Sequence, residues 1–320
     1  MKNIKKVLEK QGHRFVGKNS VVKICRWTQK SLVDKGICYK EKFYGIKSHL
    51  CCQMSPWLGC QNKCLHCWRP IEIDFSKVVD SKKVDSPSEI IDNCIKQQRK
   101  LLTGFKGNSK VNFKKLKQAQ EPMQFAISLI GEPTLYPKIG ELISELRKKR
   151  KTSFVVSNGL CPEVLKKLSK NKQLPTQLYI SLNSPNEKLF DKWHKSSVKN
   201  AWKKFNKSLE IIKGLKDKTR TVIRMTLVKD LNMKSEQVKD YVKLIKKACP
   251  DFIEVKGFVS VGFSRQRLGY EMMPSHEEVK EYAKKIVNEL GEGYKILDEH
   301  KFSKVVLIGK DKKKMKIKNI

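Results

Sequence analysis

Three cysteines on one short stretch constrain this chain more than any other feature. Cys60, Cys64 and Cys67 are spaced C-x3-C-x2-C within residues 51–70. Three thiolates on one loop can hold three irons of a [4Fe–4S] cluster, which leaves the fourth iron open to a small molecule. Two alternatives stay open from this spacing: a zinc site with His66 as the fourth ligand, or three buried free cysteines.

Length and composition indicate a folded protein without a membrane span. The 320 residues suffice for one large α/β barrel-like domain or two ordinary domains, and 39% of them are apolar. No stretch reaches the roughly 18 apolar residues of a membrane helix, and the first ten residues lack the apolar core of a signal peptide. Seven of the ten cysteines lie in the first 67 residues. In a cytoplasmic protein, which we expect, such clustering favours metal over disulfides.

The net charge of +37 is extreme and makes a nucleic acid the obvious partner. The excess is mostly lysine, with 59 lysines and ten arginines among the 69 basic residues. A lysine bias of this kind also arises from an A+T-rich genome, so charge alone is weak support for nucleic-acid binding. The basic run at residues 310–318 predicts a flexible tail that helps to hold a phosphate backbone.

A second set of cysteines precedes the first. Cys25, Cys38 and Cys51 follow one another at equal intervals of 13 residues, since 38 − 25 = 13 and 51 − 38 = 13. This spacing suggests a second site with three protein ligands, in which the adjacent Cys52 could substitute. A zinc site of Cys25, Cys38, Cys51 and Cys52, with His49 in reach, fits the same spacing. The sequence alone does not separate the two.

From residue 86 onward, strands and helices alternate. Apolar runs predict strands at 124–130, 152–156, 177–182, 221–227, 252–256 and 305–308. Capping residues and helical periodicity predict helices at 86–102, 137–149, from 162, 187–213, 235–248 and from 275. Such alternation implies a parallel sheet, whose active site lies at the carboxyl ends of the strands. The polar strand-end groups are Gly131 with Glu132, Ser157 with Asn158, Asn183, Arg224, and Glu254 with Lys256.

The first triplet followed by an aromatic residue, together with five or six βα units, resembles the radical S-adenosylmethionine superfamily. This resemblance implies a partial (βα)6 TIM-type barrel with an N-terminal cysteine-rich extension. We expect the extension at residues 1–50, the barrel at 51–309 and the basic tail at 310–320. In that superfamily the open iron binds S-adenosylmethionine, and one electron from the cluster cleaves it to a 5′-deoxyadenosyl radical.

Further stretches, in order along nearly the whole chain, are similar to the tRNA 4-demethylwyosine synthase family in its archaeal single-domain form. They are Cys25-Arg26-Trp27, Cys38-Tyr39-Lys40, Phe43-Tyr44-Gly45-Ile46, Ser128-Leu129-Ile130-Gly131-Glu132-Pro133, Arg224-Met225-Thr226-Leu227, Phe252-Ile253-Glu254-Val255-Lys256-Gly257 and Pro274-Ser275-His276-Glu277-Glu278. The resemblance implies a reaction on phenylalanine tRNA that contains 1-methylguanosine 3′ of the anticodon. Pyruvate supplies C2 and C3 to close the third ring of the base.

The same resemblance assigns residues. Cys60, Cys64 and Cys67 match the ligands of the cluster that binds S-adenosylmethionine, and Cys25, Cys38 and Cys51 match those of a second [4Fe–4S] cluster. Lys40 matches a lysine that forms a Schiff base with pyruvate or holds its carboxylate. The residues that match S-adenosylmethionine contacts are Gly131, Glu132, Ser157, Asn158, Asn183 and Arg224. Asn183 departs from the family pattern, which has aspartate there; an amide still donates and accepts hydrogen bonds but brings no charge.

Two alternatives remain beside this interpretation. One is another two-cluster radical enzyme with a different substrate, and the other is a zinc-bearing RNA-binding protein. For the synthase we expect a monomer that receives electrons from an unidentified donor.

Overall fold

A ten-stranded sheet frames the part of the chain that the computed structural model describes, which is residues 2–73, 82–291 and 293–317. Its strands are β1 (Arg14–Phe15), β2 (Val21–Lys23), β3 (Cys51–Ser55), β4 (Gln124–Ile127), β5 (Thr152–Ser157), β6 (Gln177–Ser181), β7 (Arg220–Leu227), β8 (Phe252–Gly257), β9 (Lys295–His300) and β10 (Val305–Gly309). They lie in the order β1-β2-β3-β4-β5-β6-β7-β8-β10-β9.

Helices pack against both faces of the sheet. They are α1 (Lys2–Lys10), α2 (Arg26–Leu32), α3 (Tyr39–Tyr44), α4 (Pro87–Leu102), α5 (Phe113–Gln118), α6 (Ile139–Lys148), α7 (Pro162–Lys170), α8 (Glu187–His194), α9 (Ala201–Lys213), α10 (Val238–Ala248) and α11 (His276–Leu290). Ser86 and Ser275 cap α4 and α11 in full capping boxes, which confirms both predicted helix starts. Among the described residues, no helix combines the length and apolar character that crossing a membrane requires.

Strands β3 to β8 are parallel, and antiparallel strands flank them on both sides. Each parallel strand is followed by at least one helix, because a parallel pair needs a crossover connection. The predicted partial (βα)6 TIM-type barrel is thereby confirmed. The carboxyl ends of all six strands share one rim, where the cysteine loop after β3 and the polar residues after β4, β5 and β6 meet.

Side chains alternate between the two faces of the parallel strands. Val155 and Ile180 face outward and pack under the helices in the main core. Phe154 and Tyr179, one residue away, face inward and pack with Tyr44 of α3 in a second core. Helix α3 therefore fills the barrel interior, and the N-terminal region brings its own side chains into the middle of the fold.

The structure corrects several predicted elements. The helix predicted over 187–213 is two helices, because Lys195 and Asn200 adopt left-handed backbone angles, with φ of 43° and 56°. The strand predicted over 124–130 ends at Ile127, after which the N–H groups of both Ser128 and Leu129 donate to Met54 O. Strands β1, β2, β3 and β9 were not predicted.

The predicted flexible tail is wrong for residues 310–317. Met315 is buried in the second core, the Arg220 guanidinium donates to Met315 O at 2.8 Å, and Ile317 N donates to Tyr44 O at 3.0 Å. A basic composition did not prevent packing, because the apolar Met315 and Ile317 alternate with the lysines. Residues 318–320 lie outside the described residues, and the boundaries 1–50, 51–309 and 310–320 stay a prediction.

Candidate active site

The first cysteine triplet lies on the loop that follows β3, beside a cavity of about 180 Å³. The cavity brings together eight of the site residues predicted from the sequence: Cys60, Cys64, Cys67, Gly131, Glu132, Ser157, Asn158 and Asn183. Burial raises the pKa of the Cys60 thiol to about 11. Cysteine binds metal as the thiolate, so metal binding here must displace protons.

Gly131 lets two backbone segments that border this cavity lie in direct contact. Its φ is +73°, and a Cβ added there would lie 2.1 Å from Trp57 O. Next to it, Glu132 N donates to Gly59 O at 2.8 Å. The turn after β4 therefore lies directly against the segment that leads into Cys60, and only glycine fits between them.

The Glu132 carboxylate ties neighbouring strand ends together. One oxygen accepts from Thr134 Oγ1 at 2.6 Å and Ser157 Oγ at 2.8 Å, and the other accepts from Asn158 N at 2.7 Å. Burial is the largest influence and raises the pKa of Glu132, while these hydrogen bonds oppose the rise. Glu132 was predicted to contact S-adenosylmethionine; in the structure its carboxylate holds the ends of β4 and β5 together at the rim.

Two asparagines complete the rim. Asn158 Nδ2 lies 3.7 Å from Cys60 Sγ, and Asn183 Oδ1 accepts from Thr226 N at 3.0 Å. A third, Asn62, was not singled out from the sequence; its Oδ1 is buried and has no hydrogen-bond partner among the described residues. Because Asn62 lines the cavity, this acceptor can receive a hydrogen bond from a bound ligand, as the ammonium of S-adenosylmethionine would provide.

Lys40 lies inside the barrel on α3. It is only 8% exposed, and its Nζ lies 5.1 Å from the ring centroid of Phe154 and 5.2 Å from that of Tyr179. Burial and the nearby Arg224 lower the pKa of this lysine, while Cys38, Glu254 and Cys51 oppose the change. The chain thus encloses a lysine amine in a small aromatic chamber beside the second cysteine triplet.

Arg224 lies in this chamber, with Lys40. Its Nε donates to Glu254 Oε2 at 2.9 Å, and the two oxygens of Glu254 also accept from the hydroxyls of Tyr39 and Tyr44 at 3.1 and 2.7 Å. Burial would raise the pKa of Glu254, but Arg224 and Lys40 hold it below its usual value. The network of Arg224, Glu254, Tyr39 and Tyr44 therefore fixes α3 against β7 and β8.

Each cysteine of the second triplet lies at the start of a helix or a strand. Cys25 and Cys38 are the N-cap residues of α2 and α3, and Cys51 opens β3. Burial raises the pKa of the Cys51 thiol; the nearby Cys25 and Cys38 add to the rise, and Lys40 opposes it. Because Cys51 starts the strand that leads to the first triplet, the two sets lie towards opposite ends of β3, which is about 13 Å long at ~3.3 Å per residue.

The structure gives no support to the zinc alternatives. Cys52 faces the opposite side of β3 from Cys51 and is buried in the main core, and His49 Nε2 bonds to Gln118 Oε1 at 2.9 Å. His66 Nδ1 accepts from Trp193 Nε1 at 2.5 Å. Across the described ranges, no three Cys, His, Asp or Glu side chains converge on a point that a single ion would occupy.

Both sites open to the same interior. On β5, Phe154 and Val156 both face inward: Phe154 contacts Lys40, and Val156 lines the cysteine cavity. On β6, Tyr179 contacts Lys40 and Ser181 lines the cavity. Alternate residues of a strand are about 7 Å apart, so Lys40 lies one layer of side chains below the cavity.

Fold and site together define a radical S-adenosylmethionine enzyme, and that superfamily matches residues 54–245. The family described as Wyosine base formation matches residues 247–310. A tRNA 4-demethylwyosine synthase of Pyrococcus horikoshii is 44% identical over 97% of this chain and 89% of the relative. One from Oryza sativa is 38% identical over 96% of this chain and 46% of that longer protein. The chain belongs to the tRNA 4-demethylwyosine synthase family.

Solved structures agree with this assignment. A structure of TYW1 with a lysine–pyruvate adduct bound aligns with a TM-score of 0.86 at 34% identity, over 100% of this chain and 98% of that one. A crystal structure of archaeal TYW1 aligns with a TM-score of 0.77 at 32% identity, over 100% of this chain and 99% of that one. The superfamily carries with it S-adenosylmethionine and a [4Fe–4S] cluster as cofactors.

Proposed function

We propose that this enzyme condenses pyruvate with 1-methylguanosine 3′ of the anticodon in phenylalanine tRNA, and so forms 4-demethylwyosine. The observation that carries the proposal is the buried Lys40 amine, one side-chain layer below the cysteine cavity in a single barrel interior. Such an arrangement suits an enzyme that generates a radical at one level and holds a small carbonyl substrate at the next. The relatives named above are synthases for this base.

In the upper site, Cys60, Cys64 and Cys67 would hold the [4Fe–4S] cluster. When bound, the cluster and S-adenosylmethionine supply the 5′-deoxyadenosyl radical that removes hydrogen from the N-methyl group of the nucleoside. Gly131 lets the turn after β4 lie directly against the cysteine loop, and Asn62 Oδ1 offers a buried acceptor. Glu132, Ser157, Asn158 and Asn183 would position the ligand from the rim.

In the lower site, Cys25, Cys38 and Cys51 would hold a second [4Fe–4S] cluster beside Lys40. Three cysteines at neighbouring element starts can ligate three irons and leave one iron open. An open iron would accept the carboxylate and carbonyl oxygens of pyruvate as ligands, and a metal there would polarise the carbonyl towards addition.

Lys40 would bind pyruvate covalently. Its amine attacks C2, water leaves, and a C2=N imine forms, which activates C2 in the way that lysine amines activate carbonyl substrates. The aromatic faces of Phe154 and Tyr179 limit water around this amine. The related structure with a lysine–pyruvate adduct supports an imine over simple carboxylate binding. Arg224, which was assigned to S-adenosylmethionine from the sequence, would instead act here through Glu254 and Tyr39 to position α3.

We further propose that the enzyme is a cytoplasmic monomer served by a separate electron donor. The reaction is tested anaerobically with the reconstituted enzyme, S-adenosylmethionine, a reductant and methylated phenylalanine tRNA. Pyruvate labelled with carbon-13 at C2 and C3 should place both labels in a tricyclic base detected by mass spectrometry, whereas label at C1 should not enter it. An enzyme with intact clusters that cleaves S-adenosylmethionine but forms no tricyclic base would overturn the proposal.

A further inference from the structure

The segment between β8 and α11, residues 258–275, which we call the β8–α11 loop, presents an aromatic side chain to solvent. Three large aromatic side chains are exposed in the described part of the chain: Phe113, Tyr270 and Phe302. Tyr270 is 64% exposed, and the guanidinium carbon of Arg265 lies 5.7 Å from its ring centroid. Arg265 is itself held in place, since its Nε donates to Ser260 O at 3.2 Å.

The β8–α11 loop is fastened to the first cysteine loop. Phe263 N donates to Trp68 O at 3.0 Å, and a Cβ on Gly262 would lie 2.5 Å from the same oxygen. Arg267 Nε donates to Leu65 O at 3.1 Å, and its other nitrogens donate to Cys67 O and pair with Glu72. The position of Tyr270 is therefore fixed relative to the radical site.

The loop is also fastened beneath Tyr270. Lys229 N, just after β7, donates to Met272 O at 3.0 Å, and Leu268 is buried with Trp193 and Val228 beside Cys64. These contacts hold both flanks of Tyr270 and leave its ring exposed to solvent, with the Arg265 guanidinium beside it. A rigidly held, solvent-facing aromatic ring gives no gain in core packing, and it is the feature on which proteins stack unpaired bases.

We propose that Tyr270 and Arg265 form a stacking platform for an unpaired base of the substrate RNA loop, placed beside the radical site by the β8–α11 loop. The base stacks on the ring, and the guanidinium contacts the adjacent phosphate, as arginine does in single-stranded nucleic-acid sites. The net charge of +37 favours a polyanion as the partner. The identity of the RNA rests on the proposed function.

Binding of an anticodon stem-loop that carries 1-methylguanosine tests the platform, at one fixed salt concentration and with the cluster-loaded enzyme. By fluorescence anisotropy, Tyr270→Ala should weaken binding at least ~5-fold, the lower end of one base–aromatic stack, while Tyr270→Phe should stay within ~2-fold. Phe113→Ala, which removes an equally exposed ring on α5, should also stay within ~2-fold. Arg265→Ala should reduce the slope of log affinity against log salt concentration by about one, which corresponds to one phosphate contact. Tyr270→Ala should leave this slope unchanged.

A merely structural role would show in other measurements. Tyr270→Ala should retain the thermal stability of the wild type and its RNA-independent cleavage of S-adenosylmethionine, because the ring packs in no core. A stem-loop with 2-aminopurine in the loop should lose fluorescence on binding the wild type, and less on binding Tyr270→Ala. Wild-type affinity in Tyr270→Ala, or equal losses in Tyr270→Ala and Tyr270→Phe, would overturn the platform.

The test separates this inference from the proposed function. If the wild type binds the stem-loop through Tyr270 but makes no tricyclic base, the platform stands and the proposed reaction falls. If the wild type makes the base and Tyr270→Ala binds as tightly as the wild type, the platform alone falls.

Discussion

The two ends of β3 carry two sites that are built in different ways. At the carboxyl end, the cysteine cavity is formed by close backbone turns and by polar side chains that the Glu132 carboxylate holds together, with Gly131 and Asn62 as its characteristic features. At the amino end, the Lys40 chamber is formed by buried charges, with the Arg224–Glu254 pair at its centre. The upper site depends on close backbone approach, whereas the lower one depends on the pairing of buried charges. They should therefore respond differently to substitution.

The largest contrast comes from the first triplet. Cys64→Ala removes one of three proposed ligands, so 5′-deoxyadenosine formation from S-adenosylmethionine should fall to background, and product with it. Liquid chromatography of the nucleoside measures this. Cys249→Ser, at the C-cap of α10 and outside both triplets, should keep full activity. Substantial cleavage by Cys64→Ala would break the assignment of the upper site.

A neighbouring pair of residues tests the second triplet. Cys51→Ala should lose about four irons per chain, one [4Fe–4S] cluster, and form no tricyclic base, yet still cleave S-adenosylmethionine. Cys52→Ala should keep both the iron and the product, because Cys52 faces the main core. Iron analysis and product assays distinguish the two. Equal iron in both variants would argue against a lower cluster.

Gly131→Ala tests the close backbone approach of the upper site. A methyl group there would lie 2.1 Å from Trp57 O at a φ of +73°, so the turn must shift away from the cysteine loop. We expect a loss of S-adenosylmethionine cleavage on the order of 100-fold, which is what a 1 Å misplacement can cost. Gly12→Ala shares the positive φ but meets only the Lys23 side chain at 3.7 Å. If both variants lose the same activity, backbone strain and not the collision is responsible.

Glu254→Gln tests the charge balance of the lower site. It leaves the Arg224 guanidinium buried without its counter-charge, which should lower the free energy of unfolding by ~3–5 kcal/mol. Glu299→Gln removes a carboxylate from a half-exposed pair with Lys280 and should cost under ~1 kcal/mol. Urea denaturation measures both. Similar small losses in the two variants would show that the lower network contributes little to stability.

The upper site was predictable because short-range patterns specify it. The spacing of Cys60, Cys64 and Cys67, and polar residues after successive strands, placed eight residues around one cavity. Asn62 was missed because nothing in its local sequence shows that its side-chain oxygen is left unpaired. An unpaired buried acceptor is a property of the folded chain alone.

Of the lower site, the spacing of Cys25, Cys38 and Cys51 predicted a second set of ligands, whereas Lys40 was predicted only through family resemblance. The partners of Glu254 are Tyr39 and Tyr44, 215 and 210 residues away along the chain, and no local periodicity links such positions. For the same reason the sequence placed Arg224 with S-adenosylmethionine, whereas in the fold it pairs with Glu254. Packing of Met315 into the barrel was equally non-local, and lysine-rich composition predicted the opposite.

The central claim is that one barrel interior holds a radical site above and a pyruvate-binding lysine below. Borohydride reduction of the cluster-loaded enzyme with labelled pyruvate, followed by trypsin and mass spectrometry, tests it most directly. An adduct on Lys40 blocks cleavage there, so the label should appear in the peptide 36–42, in a chain with 59 lysines. Label spread over surface lysines, or none with both clusters intact, would contradict the account.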